Sequence, residues 1–137
     1  MKLSKNFSLK EFEHSVEAIR LNVDNRVPSN EIKDNIKRLV TEVLQPARDV
    51  LGECIRINSG YRCEDVNKAV GGVYNSGHLK GQAADISCCN NKALYEVLSN
   101  MKFDQMIAYW KKGNIMWLHV SYVSKEKNRN EVIHKKL

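Results

Sequence analysis

The chain has 137 residues, the size of one domain, and its 42% of hydrophobic residues suffices for one ordinary core, which excludes a disordered chain. A formal net charge of +6 permits an anionic partner, whether nucleic acid or bacterial cell wall, but the basic residues are spread along the chain. No stretch has the roughly 20 apolar residues of a membrane span, and the polar start lacks the apolar region of a signal peptide. We therefore expect one domain over residues 1–137, a monomer that is cytoplasmic as synthesised.

The first third of the chain carries two helix signals. Ser8 followed three residues later by Glu11 is the capping-box pattern, and it predicts a short helix after Ser8. The clearest helix begins at residue 29 or 30, because apolar residues then recur at steps of three and four up to Gly52. We expect Pro46 to kink this helix and Gly52 to end it.

The rest of the chain is typical of strands around a glycine-rich segment. Residues 60–81 contain five of the seven glycines, which predicts irregular backbone of the kind that carries functional sites. The sequence predicts strands at 54–59, 83–87, 105–109 and 117–122, a helix at 91–101, a turn at 111–114 and a highly charged tail from about 124 to 137. This order predicts an α+β fold, with N-terminal helices packed on a small, mainly antiparallel sheet.

The cysteines and two of the histidines point to no site. Cys88 and Cys89 are adjacent, a poor geometry for a mutual disulfide, and no CxxC spacing occurs, so we expect reduced thiols and no thiolate zinc site. His14 and His134 lie in charged surroundings, which favours solvated side chains.

His78, Asp85 and His119 form the candidate metal-ligating set. His78 lies in the glycine-rich segment, and Asp85 lies in an apolar strand, where a carboxylate is costly to bury unless it is paired or bound to a metal. His119 lies between Leu118 and Val120 in another strand. Two histidines and one carboxylate suit a catalytic zinc ion, with the fourth position left to water. A buried His–Asp pair with an unrelated His119 explains the same spacing, so both interpretations stay open.

Three sequence blocks resemble a known family. SGYR ends at Arg62, SxHxxGxAxD ends at Asp85 and WxHVS ends at Ser121, in the order found in the zinc D,D-peptidases. That family includes D-alanyl-D-alanine carboxypeptidases and phage endolysins, and its metal site is related to that of the hedgehog signalling domain. The resemblance spans roughly residues 6 to 132. It implies a hydrolase that binds one zinc ion and degrades cell-wall peptidoglycan.

The resemblance also implies roles for individual residues. It makes His78, Asp85 and His119 the ligands of the zinc ion. Arg62 matches an arginine that holds the substrate carboxylate or the developing oxyanion, although an arginine that caps the loop by bonding carbonyls explains the same position. Ser76 matches a serine that either bonds substrate or orders the loop.

Trp117 is a candidate for substrate binding. Alternate side chains of a strand share a face, so Trp117 projects with His119 and Ser121 and could line a substrate groove. The intervening Leu118 and Val120 are expected to face the core. The sequence therefore predicts one polar face and one apolar face for this strand.

The sequence departs from the family pattern at the general base. Many members carry an acidic residue three positions before the last histidine or at the end of the preceding strand, where this chain has Met116 and Tyr109. Asp104 could reach the site if its strand were displaced, although an aspartate at the start of a strand is more often a turn or cap residue. Tyr109 could instead support the transition state as a hydrogen-bond donor. As a third alternative, the chain keeps the metal but has lost hydrolysis.

Three functions follow as hypotheses. The first is a zinc-dependent peptidase that cuts cell-wall peptides, as a D,D-carboxypeptidase or an endopeptidase, which the family implies would reach the wall by release on lysis. The second is a catalytically impaired zinc-binding module that holds a wall peptide or a protein partner. The third, nucleic-acid binding, depends only on the basic charge and the lysine-rich tail, and is disfavoured.

Overall fold

The computed structural model describes residues 1–137, and its helices lie mainly in the first half of the chain. The α-helices are α1 (Leu9–Glu13), α2 (Val16–Leu21), α3 (Asn30–Leu39), α4 (Gln45–Leu51), α5 (Glu64–Ala69) and α6 (Asn91–Ser99). None of them has the length and apolar character that crossing a bilayer requires.

The signals read from the first third of the chain are confirmed. The Ser8 backbone N–H donates to the Glu11 carboxylate at 3.0 Å, and α1 follows directly. The long helix is interrupted by a π-helical segment (Val40–Leu44) immediately before Pro46, in which the N–H of Gln45 reaches back to the carbonyl of Val40. Proline lacks an N–H and cannot continue the regular ladder, so the interruption falls at the expected position. Gly52 ends α4 with a left-handed conformation.

Five strands form one sheet. They are β1 (Arg56–Ser59), β2 (Ala83–Ser87), β3 (Gln105–Lys111), β4 (Asn114–Ser121) and β5 (Glu131–Lys136), in the spatial order β1-β2-β4-β3-β5. All neighbouring pairs are antiparallel except β3 and β5, which are parallel. Lys112 and Gly113 connect β3 to β4 with positive φ at both positions, as a tight hairpin requires. The predicted α+β class with a mainly antiparallel sheet is confirmed.

Alternation along the strands separates a core face from a polar face. On the core face, Leu118 and Val120 of β4 are fully buried, as the sequence predicts, and they join residues of the neighbouring strands and of the helices in one hydrophobic cluster. The members from the neighbouring strands are Ala84, Ile86, Met106 and Ala108, and those from the helices include Ile36, Leu39, Val43, Leu44, Leu94 and Leu98. The opposite, polar face of the same strands carries Asp85 and His119.

The structure corrects three expectations about local structure. Residues 60–81 are not wholly irregular, because they contain α5 and a 3-10 helix (Gly77–Lys80). Helix α2, which follows α1 after a break at His14 and Ser15, was not expected. The charged tail contains β5, whose ladder with β3 runs from the Gln105–Glu131 pair to the Trp110–Lys136 pair.

Gly81, at the end of the 3-10 helix, gives a test of this packing. Its φ is +73°, and a Cβ atom there would lie 2.7 Å from the Ile32 carbonyl oxygen and 2.8 Å from Ile36 Cγ1. Gly52 has the same φ with nothing within 4 Å. We expect Gly52→Ala to cost about 1–2 kcal/mol of unfolding free energy from backbone strain, and Gly81→Ala roughly 1–3 kcal/mol more from overpacking. Urea unfolding of both variants measures the difference, and equal losses would show that α3 yields to the added methyl group.

Candidate metal centre

The register of the sheet brings Asp85 and His119 together. Asp85 of β2 lies directly opposite His119 of β4, and both side chains project from the polar face. The Nδ1 atom of His119 lies 2.9 Å from Oδ1 of Asp85. Two residues that are 34 positions apart in sequence are thus held on rigid, paired strands.

His78 reaches the same place from the 3-10 helix. The Ser76 hydroxyl accepts a hydrogen bond from the His78 backbone N–H at 3.2 Å, which caps the helix. The imidazole ring of His78 is buried. Its Nδ1 atom lies at 2.7 Å from the Gly60 carbonyl oxygen, and its Nε2 atom lies at 3.4 Å from Oδ1 of Asp85. The backbone carbonyl of Gly60 on one side and the carboxylate of Asp85 on the other therefore fix the orientation of this ring.

The three side chains form one compact group. One ligand atom from each of His78, Asp85 and His119 lies within 4.8 Å of the others, and the two imidazole rings meet edge to face with centroids 5.2 Å apart. The side chains of Asp85 and His119 are only 17% and 16% exposed. The geometry therefore brings together the set that the sequence predicts as metal ligands.

Asp85 is held as a carboxylate. Burial raises the pKa of its carboxyl group, but the contacts with the imidazoles of His119 and His78 outweigh burial and hold that pKa well below its usual range. Arg62 adds an ion pair to the other oxygen, Oδ2, at 3.1 Å. Asp85 therefore presents a negatively charged oxygen to the two imidazoles at neutral pH.

The donor set fits a cation. The Gly60 carbonyl can only accept a hydrogen bond, so His78 donates from Nδ1, and in the neutral ring Nε2 carries the lone pair. That lone pair faces Oδ1 of the Asp85 carboxylate at 3.4 Å. Both atoms are hydrogen-bond acceptors, so only a proton or a metal ion between them satisfies the pair. Fixing a ligand histidine through its second nitrogen is the usual arrangement around protein-bound zinc.

Arg62 lies beside the group in the turn between β1 and α5. Its Nε donates to the Ser59 hydroxyl at 3.0 Å and its Nη2 donates to Asp85 at 3.1 Å. The guanidinium side chain is 15% exposed, and the Nη1 atom forms no hydrogen bond within the chain. Arg62 thus keeps donors that a ligand in the site can use.

Tyr109 and Trp117 form a stacked pair next to the metal-ligating group. They are paired across β3 and β4, and their rings stack with centroids 4.5 Å apart and an interplanar angle of 18°. Burial, reinforced by the charge of Asp85, raises the pKa of the Tyr109 phenol. Tyr109 is therefore a protonated hydrogen-bond donor at neutral pH and not a base.

Asp104, the alternative base, is engaged elsewhere. Its carboxylate accepts hydrogen bonds from Nε and Nη2 of Arg129, both at 3.0 Å, and from the Arg129 backbone N–H at 3.2 Å. These bonds from Arg129 lower the pKa of the Asp104 carboxyl group. Asp104 lies outside the group formed by His78, Asp85 and His119, and it ties the loop before β5 to the start of β3.

The Asp104 contacts predict a pH-dependent loss of stability. Because the native pKa of Asp104 is lowered, its contribution to the free energy of unfolding is fully present above the unfolded-state pKa of about 3.9 and is lost as pH falls through the native pKa. We expect Asp104→Asn to unfold at lower urea than the wild type near pH 7, and the difference to shrink in strong acid. The exposed, unpaired Asp34 provides the control Asp34→Asn. A difference that stays constant with pH would argue against an ionic role for Asp104.

A single cavity of about 520 Å³ connects these residues. Arg62, Ser76, Tyr109 and the three metal-ligating residues all line it, whereas Trp117 contacts it only through the Tyr109 ring. Six further polar residues of the wall were not predicted from the sequence, where their only signal was a charge or an amide group: Asn75, Lys80, Gln82, Gln105, Arg129 and Lys135. Asp85 and Asp104 are the only carboxylates in the cavity wall, and each is paired with an arginine.

The fold and the group of His78, Asp85 and His119 define a class of protein, the α+β domains with a candidate site for one metal ion on the polar face of a small sheet. Comparison with family models identifies the family. The model described as Peptidase M15 matches residues 5–121, and the chain belongs to that family. The resemblance drawn from the three sequence blocks is thereby confirmed. The family consists of zinc peptidases that act on peptidoglycan peptides. A search among curated proteins gives no match to the chain.

Proposed function

We propose that this chain is a zinc-dependent peptidase that hydrolyses peptidoglycan peptides, acting as a D,D-carboxypeptidase or as an endopeptidase. The observation that carries the proposal is the convergence of His78, Asp85 and His119 in a cavity that Arg62 also lines. Membership of the Peptidase M15 family supports the metallopeptidase class. The proposed partner is therefore a cell-wall peptide, and the proposed cofactor is one zinc ion.

His78, Asp85 and His119 are the proposed ligands. When bound, zinc supplies Lewis-acid chemistry, because it polarises a carbonyl group and lowers the pKa of water. The His78 ring is locked by Gly60, and Asp85 is locked by Arg62, so the ligands need little rearrangement to hold the ion. Three protein ligands leave one position open, as catalytic zinc sites require.

Arg62 is the proposed anchor for negative charge on the substrate. Two of its nitrogens are fixed by Ser59 and Asp85, which aims the remaining N–H donors without loss of side-chain freedom on binding. A planar guanidinium that is always protonated can hold a terminal carboxylate or stabilise an oxyanion as it develops. The ion pair with Asp85 places that charge next to the ligand group.

Tyr109, Ser76 and Trp117 have supporting roles in this proposal. Tyr109 donates a hydrogen bond to the substrate carbonyl oxygen in the transition state and keeps its proton, and Trp117 stacks behind it to fix the ring. Trp117 is thus proposed to shape the substrate groove indirectly. Ser76 already bonds the His78 backbone, so its hydroxyl orders the loop and presents its remaining donor to substrate.

One observation favours a second candidate function. Both carboxylates of the cavity wall are occupied by arginine, so no free carboxylate is present to act as a general base. General acid–base assistance typically contributes 10²–10⁴-fold to a rate, so its absence gives a slow enzyme or a module that only binds peptide. The alternative is therefore a zinc-binding module that holds a wall peptide or a protein partner.

A muropeptide digest decides between the two candidates. Purified chain with one equivalent of zinc is incubated with muropeptides, with and without chelator, and the products are identified by mass spectrometry. The peptidase proposal expects fragments that chelation abolishes, and the fragment masses identify the bond that is cut. Tyr109→Glu, which restores a carboxylate at the end of β3, is tested in parallel. If only that variant released fragments while the wild type bound peptide unchanged, the binding module would replace the peptidase.

A further inference from the structure

The C-terminal segment (residues 122–137) contributes to the cavity although it lies outside the part of the chain that matches the family model. The match ends at residue 121, whereas Val123, Arg129 and Lys135 line the same cavity as the metal-ligating residues. In the parallel ladder Lys135 is paired with Tyr109, so the two side chains share the polar face of the sheet. The segment therefore forms one wall of the site.

This wall is fixed in place by its own contacts. Asp104 binds Arg129 through three hydrogen bonds, and the backbone N–H of Phe103 donates to the Asn130 side chain at 2.9 Å. At the other end of β5, the Leu137 N–H donates to the Trp110 carbonyl at 2.7 Å. The backbone of Lys135 is thus held at both ends of a strand that is paired with β3.

The charges in the cavity do not balance. Arg62 is paired with Asp85 and Arg129 with Asp104, which accounts for both carboxylates of the wall. Lys80 and Lys135 also line the cavity, and neither forms an ion pair with any group of the chain. Two uncompensated positive charges therefore face any ligand in the cavity, and Lys135 is the one next to Tyr109.

We propose that Lys135 is a specificity-determining residue, which selects substrates that carry a carboxylate away from the bond that is cut. This inference rests on the proposed peptidase function and names its substrate class, an acidic peptide. The carboxylate recognised by Lys135 is additional to the group held by Arg62, because Lys135 lies on the opposite side of Tyr109 from Trp117, in the outer strand of the sheet. A flexible ammonium group serves here as a point charge for the anion.

The test compares two muropeptides that differ only in their side carboxylates, which are free in one and amidated in the other. We expect the wild type to favour the acidic peptide about tenfold in kcat/KM, through KM, and Lys135→Gln to reduce that preference to near unity. Lys136→Gln, on the opposite face of β5, should keep the preference. Raising the salt concentration from about 0.05 M to about 0.5 M should narrow it, because exposed charges are screened.

Calorimetric binding of the same two peptides to the zinc-loaded chain separates this inference from the function on which it rests. If neither peptide is cleaved, the peptidase proposal fails, but a tenfold difference in Kd that Lys135→Gln removes still supports the role of Lys135. If Lys135→Gln keeps the full preference, or if the wild type has none in either measurement, Lys135 does not select the substrate. Thermal unfolding of each variant verifies that the substituted chains are folded.

Discussion

Replacing His119 by glutamine is expected to abolish stoichiometric zinc binding and to lower muropeptide hydrolysis by roughly 10³-fold, equivalent to about 4 kcal/mol of transition-state stabilisation. The glutamine keeps a polar side chain on the same face of β4 but lacks the nitrogen that lies 2.9 Å from Asp85 in the native chain. Two protein ligands then remain, fewer than the three found in catalytic zinc sites. The zinc content after dialysis, measured by atomic absorption, gives a readout that does not depend on activity.

His14→Gln is the matched control for this experiment. His14 is exposed at the end of α1 and belongs to no group of metal-ligating residues, so its replacement should leave both zinc content and hydrolysis unchanged. One equivalent of zinc retained by His119→Gln would assign the ion to other residues. Loss of zinc without loss of hydrolysis would show that the reaction proceeds without the ion.

The parts of the site on regular strands were predictable from sequence. Alternation in β4 sends Leu118 and Val120 to the core and His119 to the other face, and the structure has this arrangement. Asp85 interrupts an otherwise apolar strand, and such a carboxylate requires a partner. Local patterns therefore identified residues whose environment is set by a single strand.

The contacts that complete the site could not be predicted in this way. Helix α5 has only six residues and is anchored by the buried Val66, so the glycines around it dominate the local signal. Strand β5 is highly charged, and its pairing with β3 is accompanied by bonds between Asp104 and Arg129, which are 25 residues apart. Tertiary contacts of this kind leave no periodic trace in a single sequence.

The same limit applies to the question of the general base. The sequence shows that Tyr109 occupies the position where an acidic residue is expected, but only the structure shows that Asp104 is occupied by Arg129. With both wall carboxylates paired, the cavity stabilises negative charge and provides no free carboxylate base. The arrangement is therefore better suited to holding anionic groups than to removing protons. In the proposed peptidase, most of the rate enhancement is accordingly expected from the zinc ion and from Arg62.

Arg62→Lys is accordingly expected to lower kcat/KM by roughly 10²–10³-fold while the chain keeps one equivalent of zinc. Lysine preserves the positive charge, but a single ammonium group cannot bond Ser59, Asp85 and substrate with the fixed planar geometry of the guanidinium. The loss should appear mainly in kcat if Arg62 stabilises the oxyanion, and mainly in KM if it holds the substrate carboxylate. Steady-state kinetics with a defined muropeptide distinguish the two roles.

The exposed Arg56 of β1 provides the control, because Arg56→Lys makes the same chemical change outside the cavity that contains the metal-ligating group. Zinc content must be measured on each variant, since Arg62 also bonds the proposed ligand Asp85 at 3.1 Å. Unchanged kinetics in Arg62→Lys would mean that the positive charge alone suffices and that the two fixed hydrogen bonds are unnecessary. Loss of zinc together with activity would instead make Arg62 a positioning residue that acts through Asp85.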